Sequence, residues 1–186
     1  MEPIRTRRFG TPAGELILGE FRGEVVLCDW TAGKRRAANG RLVQTTLGAA
    51  FEEGDSALLR RLVEELEEYF AGTRRAFDLP LRYTGTPFES RVWDELRRIP
   101  CGETISYGEL ARRIGNPAAT RAVAAANARN PISILVPCHR VVASSGPGGY
   151  GGGLSAKRFL LALESSSGPG TLRRPGPPVV PMAALW

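Results

Sequence analysis

Asn130-Pro131-Ile132-Ser133-Ile134-Leu135-Val136-Pro137-Cys138-His139-Arg140-Val141 runs from an apolar stretch into a thiol that stands beside the only histidine of the 186 residues. A thiolate is the strongest common side-chain nucleophile, and a neighbouring imidazole is the usual means of producing one at neutral pH. A buried structural cysteine next to an incidental histidine gives the same dipeptide, so the flanking sequence has to separate the two readings.

Downstream, Val141-Val142 leads to the glycine-rich loop Gly148-Gly149-Tyr150-Gly151-Gly152-Gly153, and then to Lys157 and a leucine-rich helix predicted over 155–165 that carries Glu164. The loop lacks the Gly-Lys-Ser/Thr of a phosphate-binding P-loop. Upstream, Thr86-Pro87-Phe88-Glu89 reads as a capping box with proline at the first helical position. Phe88, Val92, Leu96 and Ile99 make the apolar stripe of that helix. Ser106-Tyr107-Gly108-Glu109 reads as a second capping box, opening a short helix that stops at Gly115. Asn116-Pro117 is predicted to cap and start a third helix running to about Ala128. Two short helices around Gly115-Asn116 have helix-turn-helix spacing. The second is rich in small residues, which suits either a tightly packed core helix or one whose backbone approaches a nucleic-acid groove.

The first half reads as a small α/β unit. Leu16–Leu18 and Val25–Leu27 are predicted as strands joined through Phe21-Arg22-Gly23. Residues 56–70 form an amphipathic helix, and Phe77, Leu79 and Leu81 alternate as a returning strand would. No catalytic constellation is visible in this half, which reads as structural support. The expected organisation is an α/β (α+β) protein with an N-terminal sheet-plus-helix domain over 1–84. A mostly helical domain with a winged-helix-like helix-turn-helix follows over 85–165, and a Pro/Gly-rich disordered tail over 166–186.

Charge is uneven. Residues 1–85 hold 13 basic and 13 acidic side chains, whereas residues 86–164 hold 10 and 6. The basic excess therefore coincides with the motifs and suits a polyanionic partner, although a solvated charged surface has the same look. Three cysteines at unrelated spacings give no disulfide framework, and with one histidine they give no zinc set, so neither metal nor organic cofactor is expected. No secretory signal and no membrane-length apolar run is found, so the expected compartment is the cytoplasm.

The series Ile99-Pro100-Cys101-Gly102-Glu103-Thr104-Ile105-Ser106-Tyr107-Gly108-Glu109-Leu110-Ala111, Arg121-Ala122-Val123, Asn130 through Val141, and the loop to Glu164 closely resembles the methylated-DNA–protein-cysteine methyltransferases. The resemblance covers about residues 86–164. It implies double-stranded DNA carrying alkylated guanine as partner, no membrane, and a monomer whose cooperativity on DNA the sequence leaves open. It also implies direct-reversal repair of O6-alkylguanine, and of O4-alkylthymine, by base flipping and a single irreversible transfer to Cys138. His139 would be the base through an intervening water, Glu164 would orient it, Tyr107 would protonate the leaving guanine, and Asn130 would position the active segment. The small-residue helix would enter the minor groove through Ala119, Ala122 and Ala125, with Arg121 replacing the extruded base in the stack. Val141, Tyr150, Gly151 and Gly152 would surround the flipped base. Gly151 and Ala124 depart from residues frequent in the family at those positions, so Gly151 offers only its backbone amide. The competing readings are a lesion sensor without transfer, which family relatives lacking the cysteine exemplify, and a Cys-His thiol hydrolase, which gives Arg121 no task.

Overall fold

The computed structural model describes residues 2–33 and 36–166. Four strands, β1 (Ile4–Thr11), β2 (Gly14–Phe21), β3 (Glu24–Trp30) and β4 (Phe51–Glu53), form one sheet in the order β3-β2-β1-β4. β1–β2 and β2–β3 are antiparallel hairpin partners, and β4 pairs parallel with β1. The expected hairpin at Phe21-Arg22-Gly23 is present, with Arg22 and Gly23 both at positive φ. A register shift between Gly19 and Glu20 disrupts the β2–β3 ladder. Beyond it Val26 and Leu27 join one apolar cluster, while Val25, Cys28 and Trp30 join the other.

Helix α1 (Arg36–Leu47) contributes Val43 to the smaller cluster. Helix α2 (Ala57–Phe70) starts where the Ser56 hydroxyl accepts from Leu59 N, and it buries Leu59, Leu62, Val63, Leu66, Tyr69 and Phe70 in the larger one. The larger cluster continues past residue 85 through Trp93, Leu110, Val136 and Leu160, so both halves share one core.

The predicted returning strand over Phe77–Leu81 is not a strand: a single bridge joins Leu81 to Val25. Pro80, which has no N–H, accepts from Val25 N at 2.8 Å, and the run cannot extend a ladder. β1, β4 and α1 lie where no element is predicted.

In the second half the capping box at Thr86 and Glu89 opens α3 (Pro87–Arg97). The Ser106 hydroxyl caps α4 (Tyr107–Arg113), but the Glu109 carboxylate turns to Arg112 and Arg113 instead of closing a second box. Gly115 takes φ +76° and ends that helix. The third predicted helix is split. Pro117–Ala119 is a 3₁₀ turn without a side-chain cap from Asn116, and α5 follows over Thr120–Ala128. β5 (Ile105–Ser106) pairs parallel with β6 (Val141–Val142), tying the entry of α4 to the segment after Cys138. The last helix among the described residues, α6, spans Gly153–Ser166, and the tail expected beyond it lies outside them.

Candidate active site

Residues 130–141 are buried throughout. Asn130 holds them: its Nδ2 donates to Val136 O at 2.8 Å and Ile132 O at 3.4 Å, and its Oδ1 accepts from Ile132 N at 2.9 Å. Inside that clasp Ile134 adopts φ +73°, a strained conformation for a β-branched residue. The turn delivers Cys138 to the start of a 3₁₀ turn, Cys138–Arg140, where only 5% of its surface is exposed. Burial pushes the thiol pKa up to about 11, while Asn130 and Lys157 oppose the rise.

Glu164 is the hub beside it. Its carboxylate accepts from Tyr69 Oη at 2.7 Å, Gly102 N at 3.2 Å, His139 Nε2 at 2.8 Å, and Arg140 Nε and Nη2 at 2.9 and 3.0 Å. Burial alone would raise its pKa, but the bonds from His139 and Arg140 outweigh that and hold it well below the usual carboxylate range. An ionised carboxylate only accepts, so His139 Nε2 carries the proton. His139 Nδ1 is then the basic nitrogen, and it is buried with no partner among the described residues. Burial lowers the imidazole pKa against the opposing pull of Glu164, keeping the ring neutral.

Lys157 is fully buried, donating to Val141 O at 2.6 Å and Gly149 O at 3.2 Å. Burial pulls its pKa down to about 8, with Cys138 opposing. It ties the active segment to the glycine-rich loop.

Cys138 opens into a cavity of about 450 Å³. Tyr107, Ala124, Asn127, Asn130, Tyr150 and Gly151 form its wall on the side of the second half. The opposite wall comes from the first half, which the sequence suggested was only supporting: Asp29, Gly33, Arg36 and Asn39 line it. Asp29, at the end of β3, accepts from Asn39 Nδ2 at 3.0 Å and Trp30 N at 2.9 Å, and burial pushes its pKa up to about 6.

Of the residues expected around the base, Tyr150 and Gly151 line the cavity, and Val141 and Gly152 do not. Val141 is wholly buried in β6, and Gly152 packs against the Trp30 ring, where an added Cβ would lie 2.5 Å away. Cys138, His139, Glu164 and Asn130 come together as one buried group, with Tyr107 across the cavity. Arg121 and Ala122 are exposed on α5, and Ala119 and Ala125 are half-buried. Arg121 makes no ion pair among the described residues, whereas Arg112, Arg113 and Arg129 pair with Glu109 or Glu89. Sequence reasoning missed Tyr69, Arg140, Asn127 and the Asp29–Asn39 pair, since each acts through a contact distant in the chain.

Residues 87–166 match the family model described as 6-O-methylguanine DNA methyltransferase, DNA binding domain. A methylated-DNA–protein-cysteine methyltransferase of Mycobacterium leprae is 55% identical over 165 residues, covering 87% of this chain and 92% of its own. The constitutive enzyme of that name from Bacillus subtilis is 42% identical over 164 residues, covering 84% and 93%. The crystal structure of Mycobacterium tuberculosis OGT in complex with DNA superposes with a TM-score of 0.76 at 40% identity, covering 90% of this chain and 96% of that one. Relatives of this identity, matched over nearly their whole length, place the chain in the family of methylated-DNA–protein-cysteine methyltransferases.

Proposed function

We propose that the protein repairs O6-alkylguanine in double-stranded DNA by moving the alkyl group to Cys138 Sγ, once per molecule. The family is one of DNA-binding methyltransferases, and this supports repair by alkyl transfer with DNA as partner. The observation that carries the finer reading is the thiol at the cavity wall beside a neutral His139 whose Nδ1 has no partner among the described residues.

The base has to leave the duplex to reach a thiol this deeply buried. Arg121, without an ion pair among the described residues on the exposed flank of α5, fills the gap in the stack while Ala119, Ala122 and Ala125 let the helix backbone approach the minor groove. Ionising Cys138 in advance at neutral pH costs about 5 kcal/mol for a pKa of about 11. Removal of the proton during attack avoids most of that cost. His139 takes the thiol proton at Nδ1 through a water, and Glu164 stabilises the imidazolium that forms. The Sγ–C bond forms as the C–O6 bond breaks, and guanine departs with a proton donated by the Tyr107 phenol. The thiol proton passes from His139 through solvent to restore the phenol, so one proton moves in net from Sγ to guanine. O4-alkylthymine carries the same leaving oxygen and is the second substrate. No step calls for a metal or organic cofactor.

Incubation with duplex DNA containing one O6-methylguanine, followed by intact-mass and peptide analysis, tests the reading. One methyl gained on Cys138 is expected. Methyl on Cys28 or Cys101, or continued turnover, overturns it; turnover would favour the hydrolase reading, and binding without mass gain the sensor reading.

A further inference from the structure

We infer that Asn127 reads the extruded base, its side-chain oxygen accepting a hydrogen bond from the exocyclic 2-amino group of the alkylated guanine. This rests on the cavity receiving a flipped alkylguanine, as proposed above.

The observation behind it is an unmet acceptor. Among the described residues the buried side-chain atoms without a hydrogen-bond partner are Glu65 Oε2, Tyr83 Oη, Thr84 Oγ1, Asn127 Oδ1 and His139 Nδ1. Of these residues Asn127 is the one that lines the cavity. It is 5% exposed and sits on the inner side of α5. Its Nδ2 donates to Cys138 O at 3.3 Å. A carbonyl only accepts, so this bond fixes which end of the amide is nitrogen and leaves Oδ1 as the unsatisfied end. Such an oxygen is costly to bury, and a ligand donor in the cavity would relieve that cost. The neighbouring amides are already occupied: Asn130 by Ile132 and Val136, and Asn39 by Asp29.

The chemistry of the base then selects the donor. Alkylation at O6 removes the proton from guanine N1, so N1, N3 and N7 are all acceptors and the 2-amino group is the one remaining donor of the base. O4-alkylthymine has lost its N3 proton in the same way and offers no donor at all. On a purine the 2-amino group adjoins N3, and the Asn127 amide lies beside the Tyr107 phenol that would protonate the departing ring. The pair of side chains therefore matches a pair of adjacent base positions. Asn127 gives the site a preference for alkylguanine over alkylthymine that the thiol chemistry alone does not.

The test compares methyl transfer to the full chain from duplexes carrying O6-methylguanine or O6-methylhypoxanthine, the same base without the amino group. Wild type is expected to favour methylguanine on the order of tenfold or more, because the analogue leaves Oδ1 buried and unpaired. In Asn127→Leu the loss of the Nδ2 contact slows both substrates alike, while the loss of Oδ1 brings their ratio towards one. Asn127→Asp, which keeps an acceptor oxygen, should slow both yet retain the preference, and it serves if the leucine variant does not fold. An unchanged ratio in Asn127→Leu, a lost ratio in Asn127→Asp, or no preference in wild type overturns the role of Asn127. Wild type that leaves Cys138 unmodified by either duplex overturns the alkyl-transfer reading and this one with it.

Discussion

Trp30 Nε1 donates a 3.0 Å hydrogen bond to the Tyr150 hydroxyl, and the two rings meet edge to face at 6.2 Å. The first half of the chain thereby holds the loop that borders the cavity of the second. The fit leaves no slack, because Gly152 lies against the Trp30 indole and Gly33 against Gly151 O.

Gly152→Ala should consequently displace the loop while leaving the fold intact. The added Cβ would stand 2.5 Å from the indole, which is itself 2% exposed and has nowhere to retreat. A displacement of this kind lowers the transfer rate on the order of a hundredfold. Trp30→Leu in the same chain should restore part of the rate by making room. Single-turnover methyl transfer measures both, and a rate unaffected by Gly152→Ala would show that the clamp does not set the cavity.

Glu164→Gln should destabilise the protein by roughly 3–5 kcal/mol, since it leaves the Arg140 guanidinium buried without its counter-charge. Thermal unfolding between pH 3 and 8 gives a second signature. The folded-state pKa of Glu164 is depressed, so its stabilisation is present above the unfolded value of about 4.3 and lost as pH falls below it. The folded-state pKa of His139 is also depressed, so below about pH 6.5 the unfolded chain takes up a proton that the folded one refuses. Asp29, whose pKa is raised to about 6, takes up its proton in the folded state first and offsets the His139 effect between about pH 6 and 4. Wild type should therefore lose stability mainly below about pH 4.3, and the glutamine variant should lack that part.

His139→Phe should slow transfer strongly and leave a residual rate that climbs with pH. Without the imidazole the thiol ionises on its own, with a pKa that burial has pushed up to about 11. The climb should therefore continue well beyond the roughly 8.5 of a free cysteine. A pH–rate profile matching wild type would remove His139 from the role of base.

Arg121→Ala should slow repair of duplex DNA far more than reaction with the free alkylated base, which has no stack to prop open. A residue that only contacts phosphate would instead weaken all DNA binding and reduce the salt slope by about one. Transfer rates on duplex and free base at two salt concentrations separate the cases. Equal slowing on both substrates would mean a packing role for Arg121.

What could be read in the sequence was local. The capping box at Thr86 and Glu89, the glycine stop at Gly115 and the stripe of α2 each depend on residues a few positions apart, and the structure has all of them. β1 escaped because its alternation rests on Ile4 and Thr6 amid arginines that point outward. Helix α1 buries only Asn39 and Val43 and so carries almost no periodic signal. The cavity wall of Asp29 and Asn39 was invisible for a different reason: β3 carries it across the molecule to Cys138, and nothing near residue 29 hints at that. Tyr69 looked like one more member of an apolar helix face, yet its hydroxyl reaches Glu164, 95 residues away.

On the proposed mechanism, the position of Glu164 near the end of α6 also sets when the protein becomes competent. Cys138, His139 and Arg140 are synthesised before their carboxylate, so a growing chain exposes a thiol that has no oriented base behind it. On that mechanism the nucleophile stays unarmed until α6 docks, which keeps a single-use thiol from reacting while the chain is half made.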